Sequence, residues 1–444
     1  MNTHIQPLEG MKDVLPEDIG YWQRLERGAA EVFAAYGYQE MRVPMVEQTA
    51  LFRRSIGEFT DIVEKEMFTF LDRDGHTQLT LRPESTAGIV RAMIHHGLLH
   101  NQKQRVWTAG PMFRGERPQK GRYRQFHQID VEAFGYEGPD VDAEVILLSA
   151  RLWKRLGITG LKLEINSLGT PESRRSYRER LVEYFSARRE ELDTDSERRL
   201  TGNPLRILDS KNPALQPLIE RAPRLMDSLD DASRAHFEQL LALLTAAGVA
   251  YEINPRLVRG LDYYSRTVFE WTTDLLGSQS SVCSGGRYDG LVENLGGDPT
   301  PGIGWALGEE RIVLVMKELG LPGDVIQPQV YCVVAGAAAE RAALTLCERL
   351  RDTYASLRIE LNLGGGNFKA QFRRADRSGA TIAVILGDNE VARGTVAVRS
   401  LKVESPQVEC AQGDLARRLV EWLPELKGPT ATVGQGQEHI RGSL

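Results

Sequence analysis

Two segments of this sequence carry cations dense enough to hold an anion. Between Arg114 and Arg124 lie Arg114, Arg117, Lys120, Arg122 and Arg124 against Glu116, a net of +4 in eleven residues. A second cluster, Lys369, Arg373, Arg374 and Arg377 against Asp376, gives +3 on a stretch that reads as a helix. Clusters of this kind neutralise phosphates, although a solvated charged face looks the same in sequence. Other motifs fail on spacing. GIGWALG at Gly302–Gly308 lacks the spacing of a dinucleotide turn and follows DPTP rather than an apolar strand. GGGNFKAQ from Gly364 lacks the G-K-[ST] of a P-loop. The eight histidines, His95-His96 included, form no H-E-x-x-H set, and Cys283, Cys332, Cys347 and Cys410 have neither zinc nor disulfide spacing. No intrinsic metal site is expected, and the thiols are read as reduced.

The elements that would position these residues can be read from periodicity. Trp22, Leu25, Ala29, Val32, Phe33 and Tyr36 recur at helical spacing after a Pro/Glu/Asp start, and Gly37 stops that helix. YQEMRVPMVE alternates like a strand. EMFTFLD and TQLTLRPE flank Asp74-Gly75 and predict a β-hairpin, so the sheet is expected to be antiparallel. RVWTAGPMFR and QIDVEAFG are two further strands separated by the basic segment. Residues 170–250 have charged helical patterns without strand signals and are read as an inserted helical module. YEINPRLVRGLDYYSRTVFEW is read as returning strand, and GIGWALGEERIVLVMKELG as a strand passing into a helix. After LPGDVIQPQ the pattern becomes βαβα, which implies a separate small α/β domain.

The expected division is therefore 1–169 and 251–322 for an α+β catalytic body, 170–250 for the insertion, 328–425 for the α/β domain and 426–444 for a flexible tail. No apolar run approaches the roughly 18 residues needed to cross a bilayer. The N-terminus has neither a basic leader nor an apolar core, which makes the cytoplasm the expected compartment. A net charge of −6 argues against a protein that coats nucleic acid generally, but not against RNA binding through local basic patches.

Several segments, taken in order, resemble one enzyme family. GPMFRGERPQKGRYRQFHQIDVEAFG is similar to motif 2 of the class II aminoacyl-tRNA synthetases, GIGWALGEERIVL to motif 3, and RVP ending at Pro44 stands where motif 1 would. LVRGLDYYSRTVFEW and SVCSGGRYDGL resemble the two signatures of histidyl-tRNA synthetases, and TLRPEST resembles the segment that family uses on the amino acid. The likeness runs from about residue 5 to 424 and implies a class II antiparallel sheet flanked by helices, with a C-terminal anticodon-binding domain. It also implies a homodimer, ATP with Mg²⁺, L-histidine and tRNA(His) as partners, and histidine–tRNA ligation.

That reaction joins a carboxylate to the α-phosphorus of ATP, so its difficulty is charge repulsion and alignment, for which fixed cations are the remedy. Any one arginine is more often a surface charge. By resemblance, Arg114 and Arg259 are catalytic, holding the α-phosphate and reacting carboxylate, while Arg311 holds the triphosphate tail beside Glu116. Selecting histidine requires partners for both ring nitrogens. The likeness puts Glu132 and Tyr264 at the ring, and Glu84, Thr86 and Gln128 around the amino group and the rest of the substrate, with Ser85 and Arg114 also on the histidine side. Tyr263 and Tyr288 are further wall residues or, equally, packed core. Arg117, Gln119, Lys120, Arg122 and Arg124 are assigned to the tRNA acceptor end, and Lys369, Arg373, Arg374 and Arg377 to the anticodon stem.

Two positions depart from the family pattern, Gly115 after Arg114 and Glu309 before the motif 3 Glu-Arg. Three rivals stay open: a synthetase-like regulatory subunit of ATP phosphoribosyltransferase, an RNA-binding module without catalysis, and a class II ligase for another amino acid. The first usually lacks the C-terminal domain and has a degraded LVRGLDYY, the second should have lost an arginine or Glu132, and the signatures speak against the third.

Overall fold

The computed structural model describes residues 5–427 apart from 59, 209, 211, 278, 279, 325 and 326. The chain divides into two compact units, Met1–Asp324 and Val325–Leu444.

The first unit opens with helix α1 (Pro16–Ala35), which has proline in its first turn and Glu17 and Asp18 facing the helix dipole, and buries Trp22, Leu25, Ala29, Val32 and Phe33. Strands β1 (Gln39–Glu40) and β2 (Val46–Gln48) follow, split at Pro44, where one continuous alternating strand was expected. Helix α2 (Thr49–Ile56) and a π turn at Ile62–Glu66 lead to the hairpin of β3 (Thr69–Leu71) and β4 (Gln78–Leu81). The Asp74 carboxylate accepts from the amides of His76 and Thr77 at 2.8 and 2.9 Å and so fixes the turn that Asp74-Gly75 predicted. Helix α3 (Thr86–His95), long strands β5 (Gln104–Phe113) and β6 (Gln125–Phe134), helix α4 (Pro139–Leu156) and β7 (Lys162–Ser167) come next. Residues 171–246 contribute α5 (Pro171–Ser186), α6 (Thr194–Thr201), α7 (Gln216–Glu220) and α8 (Asp231–Ala246), joined by 3₁₀ turns. Then come β8 (Glu252–Ile253), β9 (Ser265–Thr272), β10 (Ser281–Arg287), α9 (Leu291–Asn294), β11 (Gly302–Gly308) and α10 (Glu309–Glu318).

Eight of these strands form one sheet in the order β1-β5-β6-β11-β10-β9-β7-β8. The six inner strands pair antiparallel, as expected, whereas β1 with β5 and β7 with β8 are parallel. A parallel neighbour needs a long crossover, and the helices of 171–246 are that crossover between β7 and β8.

The sheet separates two apolar clusters. Phe33, Ile146, Leu152, Phe269, Trp305 and Ile312 belong to one, and Val268, Tyr264 and Tyr288 to the other, so neighbouring Val268 and Phe269 serve opposite faces of the pleat. Each such buried side chain contributes about 1.5–3 kcal/mol. The second cluster continues into Tyr177, Leu181, Phe185 and Leu208, so the insertion shares a core with the signature tyrosines Tyr264 and Tyr288.

The segment from Tyr251 to Trp271, where strands were expected and Arg259 was read on a strand-like stretch, is strand only at its two ends. Only Glu252–Ile253 and Ser265–Thr272 are strand, and Arg259 stands in the loop between them. Pro255 has no N–H for a ladder. The loop also carries Tyr263, whose ring packs against those of Tyr264 and Tyr288, a contact that strand alternation does not require.

The second unit contains β12 (Val330–Ala335), α11 (Ala337–Thr353), β13 (Ile359–Leu361), α12 (Phe368–Ser378), β14 (Ile382–Gly387), α13 (Asp388–Arg393), β15 (Thr395–Ser400), β16 (Val408–Ala411) and α14 (Leu415–Trp422). Its sheet order is β13-β12-β14-β15-β16, parallel for the first three strands and antiparallel for the last two. Simple βαβα reading missed the β15–β16 hairpin, whose strands are short and joined by the polar SLKVESPQ. Leu426, assigned to the tail, is buried within the closing 3₁₀ turn Pro424–Lys427, and the rest of that tail lies outside the described residues.

Candidate active site

A cavity of about 150 Å³ lies in the first unit, and its walls include Glu84, Thr86, Arg114, Gln128, Glu132, Arg259, Tyr263, Tyr264 and Tyr288. Ser85, buried at the cap of α3, is not among them.

Glu132 is the centre of this pocket. It projects from β6, fully buried, where Thr86 Oγ1 donates to its Oε1 at 2.6 Å and the Tyr288 hydroxyl donates to its Oε2. Space for that carboxyl exists because β11 has Gly304 directly opposite, and a Cβ there would run into Glu132 Oε2 and the carbonyl of Val131. Glu84 is locked differently. Its carboxylate accepts from the amides of Thr86 and Ala87 at 2.8 and 2.9 Å, at the positive end of α3. Asp130 also faces the cavity.

Burial governs the titration of all three acids. It pushes Glu132 well above the ordinary carboxylate range, against the hydrogen bonds from Thr86 and Tyr288. It raises Glu84 against the opposing α3 amides, and lifts Asp130 to about 7 against the Ser85 hydroxyl. Burial likewise holds the Tyr288 phenol far up, so it remains a donor. The ring of Tyr263 lies 4.7 Å from that of Tyr264 and 5.6 Å from that of Tyr288. Gln128 also lines the cavity, and its Oε1 has no hydrogen-bond partner among the described residues.

A larger cleft of about 710 Å³ shares Arg114, Gln128, Arg259 and Ser284 with the small pocket and adds Arg122, Arg311, Glu116, Glu270 and Glu310. This volume is within the usual range for a small-molecule site. Arg114 follows directly on β5. Its Nε donates to the carbonyl of Pro83 at 2.9 Å, and its guanidinium lies 5.1 Å over the Phe126 ring. Arg259 pairs with Glu270 at 3.4 Å and donates to the Ser284 hydroxyl. Arg311, in the first turn of α10, donates to the carbonyls of Gly121 at 3.1 Å and of Ser281. Burial, reinforced by Arg122 and Arg114, pushes it down to about 10, where it is still a cation at neutral pH. Glu116 pairs with Arg122 at 3.2 Å.

The basic clusters are less available than their sequence suggests. Lys120 pairs with Glu318 at 3.0 Å and Arg124 with Glu9 at 3.8 Å, while Arg117 and Gln119 are exposed. In the second unit, Arg374 donates to the carbonyls of Leu363 and Gly365 and so braces its own glycine loop, whereas Lys369, Arg373 and Arg377 are exposed.

Sequence reasoning missed Glu270, Ser284 and Asp130. The signal for Glu270 was present, an acid in mid-strand between Phe269 and Trp271. Of the two departures, Gly115 donates its amide to the Glu66 carbonyl at 2.6 Å, and a Cβ would meet that oxygen at an ordinary 3.4 Å. Glu309 is 1% exposed, its carboxyl pushed well up by burial with Glu26 and Glu310 nearby. Among the described residues no group of three or more His, Cys, Asp or Glu stands close enough to hold a metal, and no helix is long and apolar enough to cross a membrane.

Residues 10–312 match the histidyl-tRNA synthetase family model, and residues 329–422 match that of an anticodon-binding domain. The chain is 35% identical to an apo histidyl-tRNA synthetase from S. aureus, with a TM-score of 0.79 over 94% of this chain and 99% of that one. A histidyl-tRNA synthetase from Nostoc sp. PCC 7120 shares the fold at 21% identity and a TM-score of 0.66, covering 95% and 100%. So does a Bacillus halodurans structure described as an ATP phosphoribosyltransferase regulatory subunit/histidyl-tRNA synthetase, at 22% identity and a TM-score of 0.64, covering 87% and 99%. With the family model spanning more than half the sequence, the chain belongs to the histidyl-tRNA synthetase family.

Proposed function

We propose that this protein is a histidine–tRNA ligase, which activates L-histidine with ATP and transfers it to the 3′ end of tRNA(His). The observation that carries this reading is the adjacency of two unlike chambers, a small pocket walled by buried acids and phenols and a cleft walled by arginines, with Arg114 and Arg259 at their junction.

Histidine is held with its imidazole against Glu132 and Tyr264. Its ammonium meets the Glu84, Thr86 and Gln128 side of the pocket, and its carboxylate points to Arg114 and Arg259. ATP occupies the cleft with its tail on Arg311. A carboxylate oxygen then forms a bond to the α-phosphorus while the bond to the bridging oxygen breaks, and pyrophosphate leaves with that electron pair. No base is needed, because the attacking carboxylate is already ionised. Arg259 and Arg114 offset the charge that gathers on the phosphate oxygens, and their preorganised N–H groups do so at little reorganisation cost. In the second step a ribose hydroxyl of the tRNA attacks the carbonyl carbon and gives up its proton, the bond from that carbon to the phosphate oxygen breaks, and AMP leaves with the electron pair while the proton passes to phosphate oxygen or water. Mg²⁺ enters as the ATP complex, since it binds well to phosphate oxygens and water.

The tRNA is engaged at its acceptor end by the 114–124 segment and at its anticodon by the second unit. A homodimer in the cytoplasm completes the reading. The regulatory-subunit alternative draws on a structure only 22% identical, a likeness that carries fold alone. Pyrophosphate exchange with each of the twenty amino acids, followed by charging of bulk tRNA, is the test. Exchange only with histidine and charging of one isoacceptor family are expected, and a chain that binds histidine without exchange would overturn the ligase reading.

A further inference from the structure

Asp142 lies outside both chambers, in the first turn of α4, yet it is fully buried and carries four contacts. Arg287 Nε and Nη2 both reach its Oδ1 at 2.8 Å. Thr267 Oγ1 donates to its Oδ2 at 2.6 Å, and His236 Nε2 stands 2.8 Å from the same oxygen. Burial alone would raise this carboxyl, but the His236 bond and the Arg287 charge overcome it and hold Asp142 below its ordinary range. It is therefore ionised, and His236 Nε2 must be a donor.

Two of the partners stand on strands that run into residues of the proposed histidine pocket, and the third stands on the helical insertion. Arg287 closes β10 and immediately precedes Tyr288, the donor to Glu132. The β9–β10 register slips between Gly286 and Arg287, and such a bulge re-aims the side chains that follow it. Gly286 permits the bulge, because a Cβ there would strike the Thr267 carbonyl. Arg287, also fully buried, completes its fork on the Gly138 carbonyl at 2.8 Å and on Asp289 at 3.0 Å. Thr267 is on β9, three residues beyond Tyr264. His236 is on α8, in the helical insertion.

We propose that Asp142, Arg287 and His236 are positioning residues for amino-acid recognition: the buried carboxylate clamps the β9–β10 bulge that aims Tyr288 at Glu132, and His236 couples the insertion to that aim. None of the three touches substrate. The inference rests on the histidine-site reading, because it deepens what Glu132 and Tyr288 do.

The test uses the full-length protein in pyrophosphate exchange, with KM measured separately for histidine and ATP. The variants are His236→Gln, Asp142→Asn and the pair Asp142→Leu with Arg287→Met. Replacing both members of a buried ion pair with apolar residues is often tolerated, so the double variant keeps the test open if Asp142→Asn fails to fold. We expect KM for histidine to rise about tenfold in Asp142→Asn and the double variant and about threefold in His236→Gln, while KM for ATP moves less than about twofold. Each variant is then combined with Tyr288→Phe. If the clamp acts through Tyr288, its effect on KM for histidine largely disappears in that background, an outcome a merely structural role would not produce. Equal changes in both KM values, additive effects with Tyr288→Phe, or loss of thermal stability with an unchanged KM for histidine would each overturn the inference. Failure of the unmodified protein to exchange with histidine would instead remove the underlying functional reading.

Discussion

The two adjoining chambers of the first unit are opposites in charge, and burial strains each in the direction its ligand would relieve. In the small pocket, burial raises Glu84, Asp130 and Glu132 toward their neutral forms. In the cleft it lowers Arg311 to about 10, helped by Arg122 and Arg114. A bound ammonium or imidazolium would favour the ionised acids, and a triphosphate would favour the arginines. The chambers also differ in how their charges are held. The pocket acids are satisfied by side chains and helix amides, Thr86 and Tyr288 on Glu132 and the start of α3 on Glu84. The described anchors of Arg114 and Arg311 are backbone carbonyls, which fix orientation without neutralising charge. The first arrangement suits selection, because analogues that cannot complete a buried network are rejected strongly. The second suits catalysis, because the positive charge stays available to a developing anion.

The comparison breaks most visibly at Arg259, which belongs to both chambers. Arg259→Ala is expected to slow adenylate formation by about 10²–10³ or more, the usual cost of losing a preorganised donor, with a full charge added. Transfer from preformed adenylate should suffer much less, since pyrophosphate has then left. Single-turnover assays of each half-reaction, on protein checked for folding, separate the two. Normal adenylation with stalled transfer would contradict the assignment.

Removing the second unit tests whether both chambers are complete without it. A chain ending near Gln327 should still form histidyl-adenylate, while charging at low tRNA concentration falls by about 10² with the loss of its specific RNA contacts. Charging at the full-length rate by a folded truncated protein would refute the anticodon assignment.

Glu132→Gln addresses the small pocket alone. The amide keeps the shape but cannot carry the charge that orients a ring N–H, so kcat/KM for histidine should fall by about 10–10² while KM for ATP changes little, in keeping with the cost of an imperfect partner for a buried charged group. Near-normal exchange with histidine would remove Glu132 from the imidazole site.

These contrasts were partly legible in the sequence. Segments with strong local rules declared themselves: the α1 periodicity between Pro16 and Gly37, the Asp74-Gly75 turn, and the glycine-opened β11 running into α10. The loop bearing Arg259 did not, because alternating bulky residues resemble a strand until the tertiary fold packs Tyr263 against Tyr264 and Tyr288. Nor did the partners of Arg259, since pairing with Glu270 and Ser284 depends on the register of β9 and β10 rather than on any local pattern. Asp142 is the extreme case. In DVDAEV it reads as an ordinary acid at a helix start, and its three partner residues lie 94 to 145 positions away.

Asp142 and Asp130 are both buried aspartates in the first unit, and they provide the subtlest way to sharpen the comparison. Asp142 has a cation and two other donors on its oxygens and is held low, whereas Asp130 is lifted to about 7 because burial outweighs the Ser85 hydroxyl and the charges of Arg82 and Arg114. A raised acid contributes stability that is fully present below its unfolded value of 3.8 and is lost as pH rises through about 7, because the folded state binds more protons across that window. An acid moved so far links at most about 4 kcal/mol to pH, and solvent relaxation on ionisation will reduce that figure. Asp130→Asn supplies a neutral, non-titrating side chain of the same shape. In urea unfolding of the ligand-free protein at pH 5.0, 6.5 and 8.0, the variant should gain on the parent protein at each step upward. Asp142→Asn should do the opposite in an acid series, its deficit shrinking as pH falls through the parent's depressed carboxyl. Parallel pH profiles for Asp130→Asn and its parent would mean that Asp130 is ionised throughout, and that the small pocket is acidic rather than near neutral in the ligand-free protein.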